Sequence, residues 1–429
     1  MNNEQLVALR RELHRHPEPA FAEVGTAARV EASLAGLPVN ITSGAAASNL
    51  SQVVNFPTAD TMAAWTDLAV ESGIEPERAA YFRDNGTALV VDLAGDGAGP
   101  RWGLRVDMDA LPMFESVAEG HFPADQGFAS KVAAMHACGH DVHTSIGVGL
   151  LHRLSDQDFP GSLRVLFQPA EEGVRGAQTM IDAGAVDGID HMLAIHVAGG
   201  MPFGDVVGSF TGGMATRKLL VNFSGRASHA AGMPEAGRNA LIAASTAAIG
   251  IMGIPRFSTA DTRVNVGTLN AGEGVNIVPA SATMTCEARA TDDDVVEEVT
   301  SRIREIVAGA SLAQGVEHEV SVMGQSATIR PNEQMIDLVV DAFAKHPQVQ
   351  TIHRTQTLAG SDDANLMIRR VQQQNGIGAY LMVGAASPGP HHSATFDADE
   401  RTIPLAVDVL EALLRGAPPS GDTSHKTRG

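Results

Sequence analysis

The sequence of 429 residues has few cysteines, no long apolar run and a deficit of basic residues. Its two cysteines, Cys138 and Cys286, exclude the disulfide framework of small secreted proteins and favour a reducing, cytoplasmic compartment. No apolar stretch reaches the roughly 18 residues of a membrane-spanning helix, so we expect no membrane span. The N-terminal residues also lack the apolar core and cleavage pattern of a signal peptide.

Basic residues are outnumbered, with 30 Lys and Arg against 50 Asp and Glu, and the formal net charge is −20. Such a balance disfavours nucleic acid as a partner, because a nucleic-acid site needs a basic surface. It also means that an anionic small molecule would need a local basic pocket.

The chain is too long for one ordinary core, so we expect two domains. Apolar strands alternate with helices up to about residue 210 and again over 325–415, which predicts an α/β catalytic domain in two parts. Residues 211–324 follow the order β-α-β-β-α-β, which predicts an inserted ferredoxin-like domain. The last residues, 416–429, are expected to be disordered.

Two segments of the first part call for separate predictions. Residues 41–87 are polar, rich in alanine and partly helical in pattern, with capping candidates at Thr58 and Asp60. They read as a helical insertion, either a lid over a substrate site or a surface addition. Residues 87–95 and 101–110 read as strands on either side of a Gly-Pro turn, which predicts a hairpin or neighbouring strands.

The stretch "MHACGHDVHT", residues 135–144, places a thiol among three imidazoles. Each group alone has an ordinary explanation, since Cys138 can be a small buried apolar residue and a histidine can be a packing residue. A redox pair is disfavoured because Cys286 belongs to the other domain. The remaining alternative is a metal site, which needs further ligands from elsewhere in the chain.

Such ligands follow several predicted strands. Because strands of an α/β sheet direct their carboxyl ends to one edge, these side chains could converge there. Thiolate, imidazole and carboxylate groups together can hold two divalent metals that share a bridging anion. The residues are Asp107, Asp109, Glu171, Glu172, His196, His391 and His392, besides Cys138 and His140.

The set of motifs resembles the M20 metallopeptidase superfamily and, within it, the amidohydrolase branch. The matching stretches include "RRELHRHPEPAF", "VDMDALP", "MHACGHDVHT", "FQPAEEGVRGAQTM", "SHAAGMPEAGRNAL" and "GPHHSATF", and the resemblance runs from about residue 5 to 415. It implies a zinc-peptidase-like α/β catalytic domain with an inserted ferredoxin-like lid and dimerisation domain.

The resemblance implies a role for each matching site residue. Cys138 would be the bridging thiolate, where other branches use an aspartate, and His392 is preferred to His391 because it directly precedes the matching serine. Glu171 would be the general base and acid, and Asp109 would orient a ligand. The metal ligands would be Cys138, His140, Glu172, His196 and His392.

The inserted domain would contribute residues to the substrate. The resemblance implies that His229 reaches the active site of a dimer partner, and that Asn276 and Arg289, on neighbouring lid strands, bind a substrate carboxylate. At "MATRKLL" many relatives carry an aspartate near Arg217. The basic pair Arg217 and Lys218 therefore suggests a site for a second carboxylate, or else two solvated strand residues.

The implied activity is hydrolysis of an amide bond by water that two divalent ions, Mn²⁺ or Zn²⁺, activate. The substrate would be an N-acyl acidic amino acid of the p-aminobenzoyl-glutamate or indole-acetyl-aspartate type. The alternatives are a broader N-acyl amino-acid amidohydrolase and a metal-binding protein without activity. We expect a homodimer, or a hetero-oligomer with a related chain, and no nucleic-acid or membrane partner.

Overall fold

The computed structural model describes residues 1–358 and 360–416 of the chain. The tail expected to be disordered, 416–429, lies outside the described residues except for Gly416. In the described residues, no helix is both long enough and apolar enough to cross a membrane.

Twelve strands of the described chain form two sheets, one with eight strands and one with four. The strands of the larger sheet are β1 (Val39–Ser43), β2 (Leu89–Ala94), β3 (Gly97–Asp107), β4 (Pro160–Gln168), β5 (His191–Ala198), β6 (Asp205–Gly212), β11 (Thr351–Leu358) and β12 (Ile377–Gly384). The strands of the smaller sheet are β7 (Ala215–Ser224), β8 (Thr262–Ala271), β9 (Ser281–Ala290) and β10 (Glu317–Ser326).

Helices of the larger domain precede, connect and follow its strands. They are α1 (Asn3–Arg15), α2 (Val24–Ser33), α3 (Ala59–Glu71), α4 (Pro76–Asn85), α5 (Phe122–Asp125), α6 (His140–Arg153), α7 (Gly176–Asp182), α10 (Glu333–Phe343), α11 (Ala364–Gln373) and α12 (Thr402–Arg415). The helices of the smaller domain are α8 (Ala240–Met252) and α9 (Asp293–Gln314).

The larger sheet is covered by helices on both faces, because successive residues of its central strands enter two different cores. In β5, Leu193 and Ile195 join the core that includes α6 and α12, whereas Met192 and Ala194 join the core that includes α7 and α11. A strand buried on both faces reads as a continuous apolar run. This is the reason that β4, β5 and β12 are recognisable in the sequence.

The predicted neighbourhood of β2 and β3 is wrong. The order of the larger sheet is β1-β2-β4-β3-β5-β12-β6-β11, so β4 lies between the two. β4 pairs antiparallel with β2 and parallel with β3. Its run "LRVLF" is apolar enough to occupy the middle of the sheet, and a short connection does not by itself make two strands partners.

The smaller domain confirms the expected ferredoxin-like unit. Its elements follow in the order β7-α8-β8-β9-α9-β10, and its antiparallel sheet has the order β10-β7-β9-β8. Alternate residues of β7, among them Leu219 and Val221, pack against α8 and α9 in a separate core. The domain is inserted between β6 and α10 of the larger domain.

The segment 41–87 contains the end of β1 and the helices α3 and α4. Thr58 caps α3, as expected, with its side chain accepting a hydrogen bond from the amide of Thr61. Met62 and Phe82 are buried in the core that the larger domain forms on this face. The two helices therefore pack against the core of the larger domain. The stretch that precedes them lies against α7, where the amide of Asn49 donates to the carbonyl of Thr179 at 2.8 Å.

A buried ion network fastens α1 to the first turn of α6. Arg10 and His14 both contact the carboxylate of Asp141, at 2.7 and 2.8 Å, and His14 also contacts Glu115 at 2.9 Å. Burial and the charge of Arg10 oppose protonation of His14, but Asp141 and Glu115 outweigh them and raise its pKa to about 9. Because Asp141 follows His140, the network also fixes the position of that histidine.

Alkaline pH should weaken this network. The pKa of His14 rises from 6.5 to about 9 on folding, so its contribution to stability is complete below pH 6.5 and is lost as the pH rises through 9. The contribution amounts to about 3 kcal/mol at most. Urea unfolding at pH 6 and pH 9.5 should show a larger loss of stability for the wild type than for His14→Gln, and equal losses would contradict the prediction.

Candidate metal centre and substrate cleft

One edge of the larger sheet collects most of the candidate residues. β4, β3, β5 and β12 run parallel, so their carboxyl ends lie side by side. Asp107 and Asp109 lie at the end of β3, Glu171 follows β4, His196 lies near the end of β5, and His392 lies in the loop after β12. Cys138 and His140 reach the same edge because α6 begins there.

All five expected metal ligands come together at this edge. Their donor atoms fall into groups whose members lie within 4.8 Å of one another. Cys138 belongs to two of these groups, so its sulfur lies between two sets of donors. The groups are Cys138, His140 and His196; Cys138, Glu172 and His392; His140, Glu171 and Glu172; Asp107, His140 and His143; and Glu171, Asp362 and Asp363.

Two histidines present a free ring nitrogen to the cluster. His140 lies 2.8 Å from the carbonyl oxygen of Asp109 through Nδ1, and His196 lies 2.7 Å from that of Val197 through Nδ1. A carbonyl can only accept, so Nδ1 donates in each, and in the neutral ring Nε2 then keeps its lone pair. Nε2 of His196 lies 3.4 Å from the sulfur of Cys138. This tautomer is the one in which a histidine binds a metal through Nε2.

Asp109 holds the two adjacent glutamates in place. Its carboxylate accepts the backbone amide of Glu171 at 2.9 Å and that of Glu172 at 3.1 Å. Both side chains are largely buried and line the same cleft. Asp109 therefore fixes the backbone of both glutamates.

Some histidines near the cluster have ring nitrogens that are already occupied by hydrogen bonds within the protein. His143 donates through Nδ1 to Asp107 at 2.6 Å and accepts the amide of Val197 at Nε2, so neither nitrogen is free. His391 likewise accepts the amide of Gly199 at Nε2. The ring of His392 lies instead 3.4 Å from the carboxylate of Glu172.

The cluster fits a divalent cation in its chemistry. Nε2 of His140 and Oε1 of Glu172 are buried and have no hydrogen-bond partner among the described residues. Burial raises the pKa of Glu172 to about 7 and that of Cys138 to about 12. Burial also raises the pKa of Glu171 well above its ordinary range, with the charge of Asp362 adding to the effect. A bound cation would supply the charge that stabilises the anionic forms of these groups.

A buried polar layer beneath the cluster was not predicted. Arg105 of β3 is fully buried and bonds to Asp107 at 2.5 Å and to Gln168 at 2.8 Å. Asp362 accepts the hydroxyl of Tyr380 at 2.5 Å and reaches the cleft. An arginine within an apolar strand is the feature that could have revealed this layer, because buried charges are almost always paired.

A cleft of about 330 Å³ lies between the cluster and the smaller domain. The metal-type donors form one wall, and residues of the small sheet form the opposite wall. Lys218 and Arg289 both line the cleft, and the ammonium group of Lys218 lies 3.4 Å from the carbonyl oxygen of Gly173. The cleft thus combines a cluster of anionic and imidazole donors with two cations in an acidic protein.

Of the basic pair expected to supply a second carboxylate site, Lys218 lines the cleft and Arg217 does not. Its guanidinium group pairs with Glu297 of α9 and donates to the carbonyl of Ser326. Successive residues of a strand point to opposite faces. Arg217 therefore lies on the face of β7 that packs against the helices, and Lys218 lies on the face that closes the cleft.

His229 and Asn276 do not join the cleft of their own chain. Both are exposed, and they lie together because the amide of Ala230 donates to the carbonyl of Asn276 at 3.0 Å. Asn276 was expected on a strand, but it lies in the loop between β8 and β9. Arg289 lies near the far end of β9, so Asn276 and Arg289 cannot bind the same group within one chain.

Comparisons with known proteins agree with this architecture. The model of the peptidase family M20/M25/M40 matches residues 103–416. Indole-3-acetyl-aspartic acid hydrolase of Enterobacter agglomerans is 39% identical over 95% of this chain and 94% of its own. One subunit of the p-aminobenzoyl-glutamate hydrolase of Escherichia coli is 38% identical over 94% of this chain and 93% of its own.

A solved structure gives the same result for the fold. The crystal structure of an aminobenzoyl-glutamate utilization protein from Klebsiella pneumoniae has a TM-score of 0.82 and 33% sequence identity to this chain. The match covers 97% of this chain and 96% of that one, so it includes both sheets.

Proposed function

Because this chain belongs to peptidase family M20/M25/M40, we propose that it hydrolyses the amide bond of an N-acyl acidic amino acid. The acyl groups that we propose are those of p-aminobenzoyl-glutamate or indole-acetyl-aspartate, the compounds named for its relatives. Membership of this family makes the chain a metal-dependent amidohydrolase. The observation that carries the proposal is the cleft with metal-type donors on one wall and Lys218 and Arg289 on the other.

Two divalent ions would be held by the donor groups around Cys138. The ligands would be Cys138, His140, Glu172, His196 and His392. Bound ions of this kind polarise a carbonyl oxygen and lower the pKa of water. The thiolate and the imidazoles favour Zn²⁺, and the carboxylate also accommodates Mn²⁺.

Glu171 would move the proton during the reaction. Its side chain lines the cleft beside the cluster, and Asp109 fixes its backbone. It would take a proton from the attacking water and deliver it to the nitrogen of the leaving amino acid. Glu172 is held by the same carboxylate but points to His392, so the two neighbouring glutamates would divide the tasks.

Lys218 and Arg289 would bind the carboxylates of the amino acid. Both line the cleft, and among the described residues the ammonium group of Lys218 has one long hydrogen bond, to the carbonyl of Gly173. Arg289 also pairs with Glu287 at 3.1 Å, so a substrate carboxylate would compete with that contact. A glutamyl or aspartyl product carries two carboxylates, which two cations can neutralise.

His229 and Asn276 would serve the cleft of a second chain. They are exposed at one tip of the small domain and lie outside the cleft of their own chain. A homodimer related by a twofold axis would allow each tip to reach the partner's cleft. The Escherichia coli relative is named as one subunit of its enzyme, so a related second chain is the alternative partner.

The proposed function is tested by the release of amino acids from three substrates by the purified chain with Mn²⁺ or Zn²⁺. The substrates are p-aminobenzoyl-glutamate, indole-acetyl-aspartate and hippurate. Faster release from the two acidic conjugates supports the proposal. Equal or faster release from hippurate would instead assign the protein to the broader N-acyl amino-acid amidohydrolases, and no release from any of the three would contradict the proposal for this chain alone.

The preference for acidic amino acids should depend on Lys218 and not on Arg217. Lys218→Ala is expected to raise the KM for acidic conjugates about tenfold, because a hydrogen bond to a charged group contributes roughly 1.5–3 kcal/mol. Arg217→Ala is the matched control from the same strand and should leave the preference unchanged, since its guanidinium faces α9. The values of kcat and KM of both variants are measured with acidic and neutral conjugates. An equal effect of the two substitutions would contradict the proposed role of Lys218 in binding the acidic amino acid.

A further inference from the structure

The carboxyl group of Glu23 is buried outside the metal cluster and contacts the turn that carries Glu171 and Glu172. Its side chain is fully buried. Oε1 of Glu23 accepts the backbone amide of Ala170 at 2.9 Å and that of Phe21 at 3.0 Å. Ala170 directly precedes Glu171, so Glu23 is bonded to the backbone beside the group that would move the proton. The function proposed above assigns Glu23 no task.

Two buried carboxyl groups hold three successive amides of this turn. Glu23 accepts the amide of Ala170, and Asp109 accepts those of the next two residues, Glu171 and Glu172. A carboxyl oxygen accepts hydrogen bonds in both its neutral and its ionised form. Because three consecutive positions are anchored, the backbone cannot shift at Glu171 without breaking one of these bonds.

The turn, residues 169–174, needs such anchors because its backbone is strained. Ala170 has a φ of 56° and Val174 a φ of 54°, a region that residues with a side chain rarely adopt. The amide of Val174 donates to the carbonyl of Glu171 at 2.6 Å within the turn. Strained backbone persists only where the surrounding structure holds it in place. The bond from Glu23 falls on the first of the two strained residues.

Glu23 is free to hold the turn because another residue caps α2. Glu23 directly precedes α2, a position from which a carboxylate usually accepts the first amides of the helix. In the described chain it does not do so. Instead Glu18 accepts the amides of Gly25 and Thr26, each at 2.7 Å. Oε2 of Glu23 accepts the hydroxyl of Thr87 at 2.7 Å, which fixes the direction of its side chain.

We infer that Glu23 is a positioning residue, which fixes the backbone of the turn so that Glu171 faces the donor cluster in the geometry that proton transfer needs. It would act through the amide of Ala170, together with Asp109. The inference rests on the proposed function, in which Glu171 moves the proton, and adds a residue from the connection between α1 and α2 on which that step depends.

Glu23→Ala should lower kcat by about 10–100-fold, because a shift of about 1 Å in a catalytic group can cost about 10²-fold. The KM for p-aminobenzoyl-glutamate should stay within about twofold, since only the transition state would be affected. Two ions per chain should remain bound, because the bonds of Glu23 are to Phe21, Thr87 and Ala170 and not to the expected ligands. Steady-state rates at pH 7 and elemental analysis measure these values.

Glu23→Gln is the conservative variant that should restore activity. Burial raises the pKa of Glu23 to about 8, and the charge of Asp109 adds to the effect. The neutral acid therefore predominates at pH 7, and glutamine keeps its shape and its accepting oxygen. The kcat of Glu23→Gln should lie within about threefold of the wild type, since the bond to Ala170 is kept. A loss as large as that of Glu23→Ala would contradict the inference.

Glu18→Ala is the matched control for a general loss of stability. It removes a buried carboxyl group of the same segment, whose bonds are to the amides of α2 and not to the turn. Thermal unfolding should show a loss of stability similar to that of Glu23→Ala. At a temperature where both are folded, its kcat should remain within about twofold of the wild type. A loss of kcat equal to that of Glu23→Ala would show that Glu23 is only structural.

Hydrogen exchange tests the hold on the turn without a substrate. Peptides that cover residues 169–174 should exchange about tenfold faster in Glu23→Ala than in the wild type or Glu18→Ala, because the amide of Ala170 loses its partner. Unchanged exchange would contradict the inference. Absence of hydrolysis by the wild type would instead contradict the proposed function, and the exchange rates would still decide whether Glu23 holds the turn.

Thr87→Val provides the test if Glu23→Ala does not fold. Valine keeps the shape of threonine and removes the hydroxyl that bonds to Glu23. The variant should lower kcat about threefold with unchanged KM, because Glu23 would be less firmly held. The same peptides should exchange faster than in the wild type. If both kcat and exchange stay at the wild-type values, the inference is wrong.

Discussion

Replacement of Glu171 by glutamine is expected to lower kcat by about 10²–10⁴-fold, the usual contribution of a general acid and base. The substitution keeps the shape of the side chain and its backbone bond to Asp109. It removes the proton acceptor that lies beside the donor cluster in the cleft. Initial rates with p-aminobenzoyl-glutamate at saturating substrate measure the effect.

Metal content separates this role from that of a ligand. Glu171→Gln should retain two ions per chain, as measured by elemental analysis after dialysis. Cys138→Ala should lose metal, because the sulfur of Cys138 belongs to two of the donor groups. Activity of more than a few per cent of the wild type in Glu171→Gln would exclude the proposed proton transfer, and loss of ions from that variant would make Glu171 a ligand instead.

His229→Ala is expected to lower kcat by about 10²–10³-fold, because we propose that His229 polarises the scissile carbonyl and stabilises its oxyanion in the partner's cleft. The loss of activity would occur in the partner's cleft, because His229 is exposed and lies outside the cleft of its own chain. The substitution should leave the stability of the isolated fold unchanged, since within the described part of the chain the side chain bonds only to nearby loop amides, of Ala231 and Gly232. Steady-state rates together with thermal unfolding measure both effects.

Mixed dimers decide whether His229 acts across the interface. A dimer of one Glu171→Gln chain and one His229→Ala chain would contain one complete cleft, with Glu171 from the second chain and His229 from the first. Dimers isolated with two different affinity tags should therefore recover about half of the wild-type rate, although each parent is inactive. Mixed dimers no more active than their parents would show that His229 does not serve the partner's cleft.

Much of the fold follows from local patterns in the sequence. The sequence pattern predicts helices over 3–15, 239–254 and 332–344 and a strand over 378–385, and α1, α8, α10 and β12 lie within two residues of these bounds. The ferredoxin-like order of the small domain is predicted from the same kind of pattern. The position of β4 between β2 and β3 is not predicted, because strand pairing depends on contacts between distant segments, and β6 and β11 are missed because neither stands out by composition.

The candidate site divides in the same way. Metal-binding side chains that follow apolar strands sharing an edge indicate a broad set of donors, and the resemblance to the M20 superfamily is what narrows it to Cys138, His140, Glu172, His196 and His392. The sequence does not distinguish Arg217 from Lys218, since both are cations in one strand. The structure separates them, because only the face of β7 away from α9 closes the cleft.

The sequence by itself determined the type of chemistry, because the kinds of donor atoms and their positions after strands depend on local order along the chain. Only the tertiary structure decided which groups are free to act. Hydrogen bonds from distant residues occupy both nitrogens of His143 and leave Nε2 of His140 without a partner among the described residues. The same packing buries Arg105 beneath the cluster and places His229 outside the cleft of its own chain.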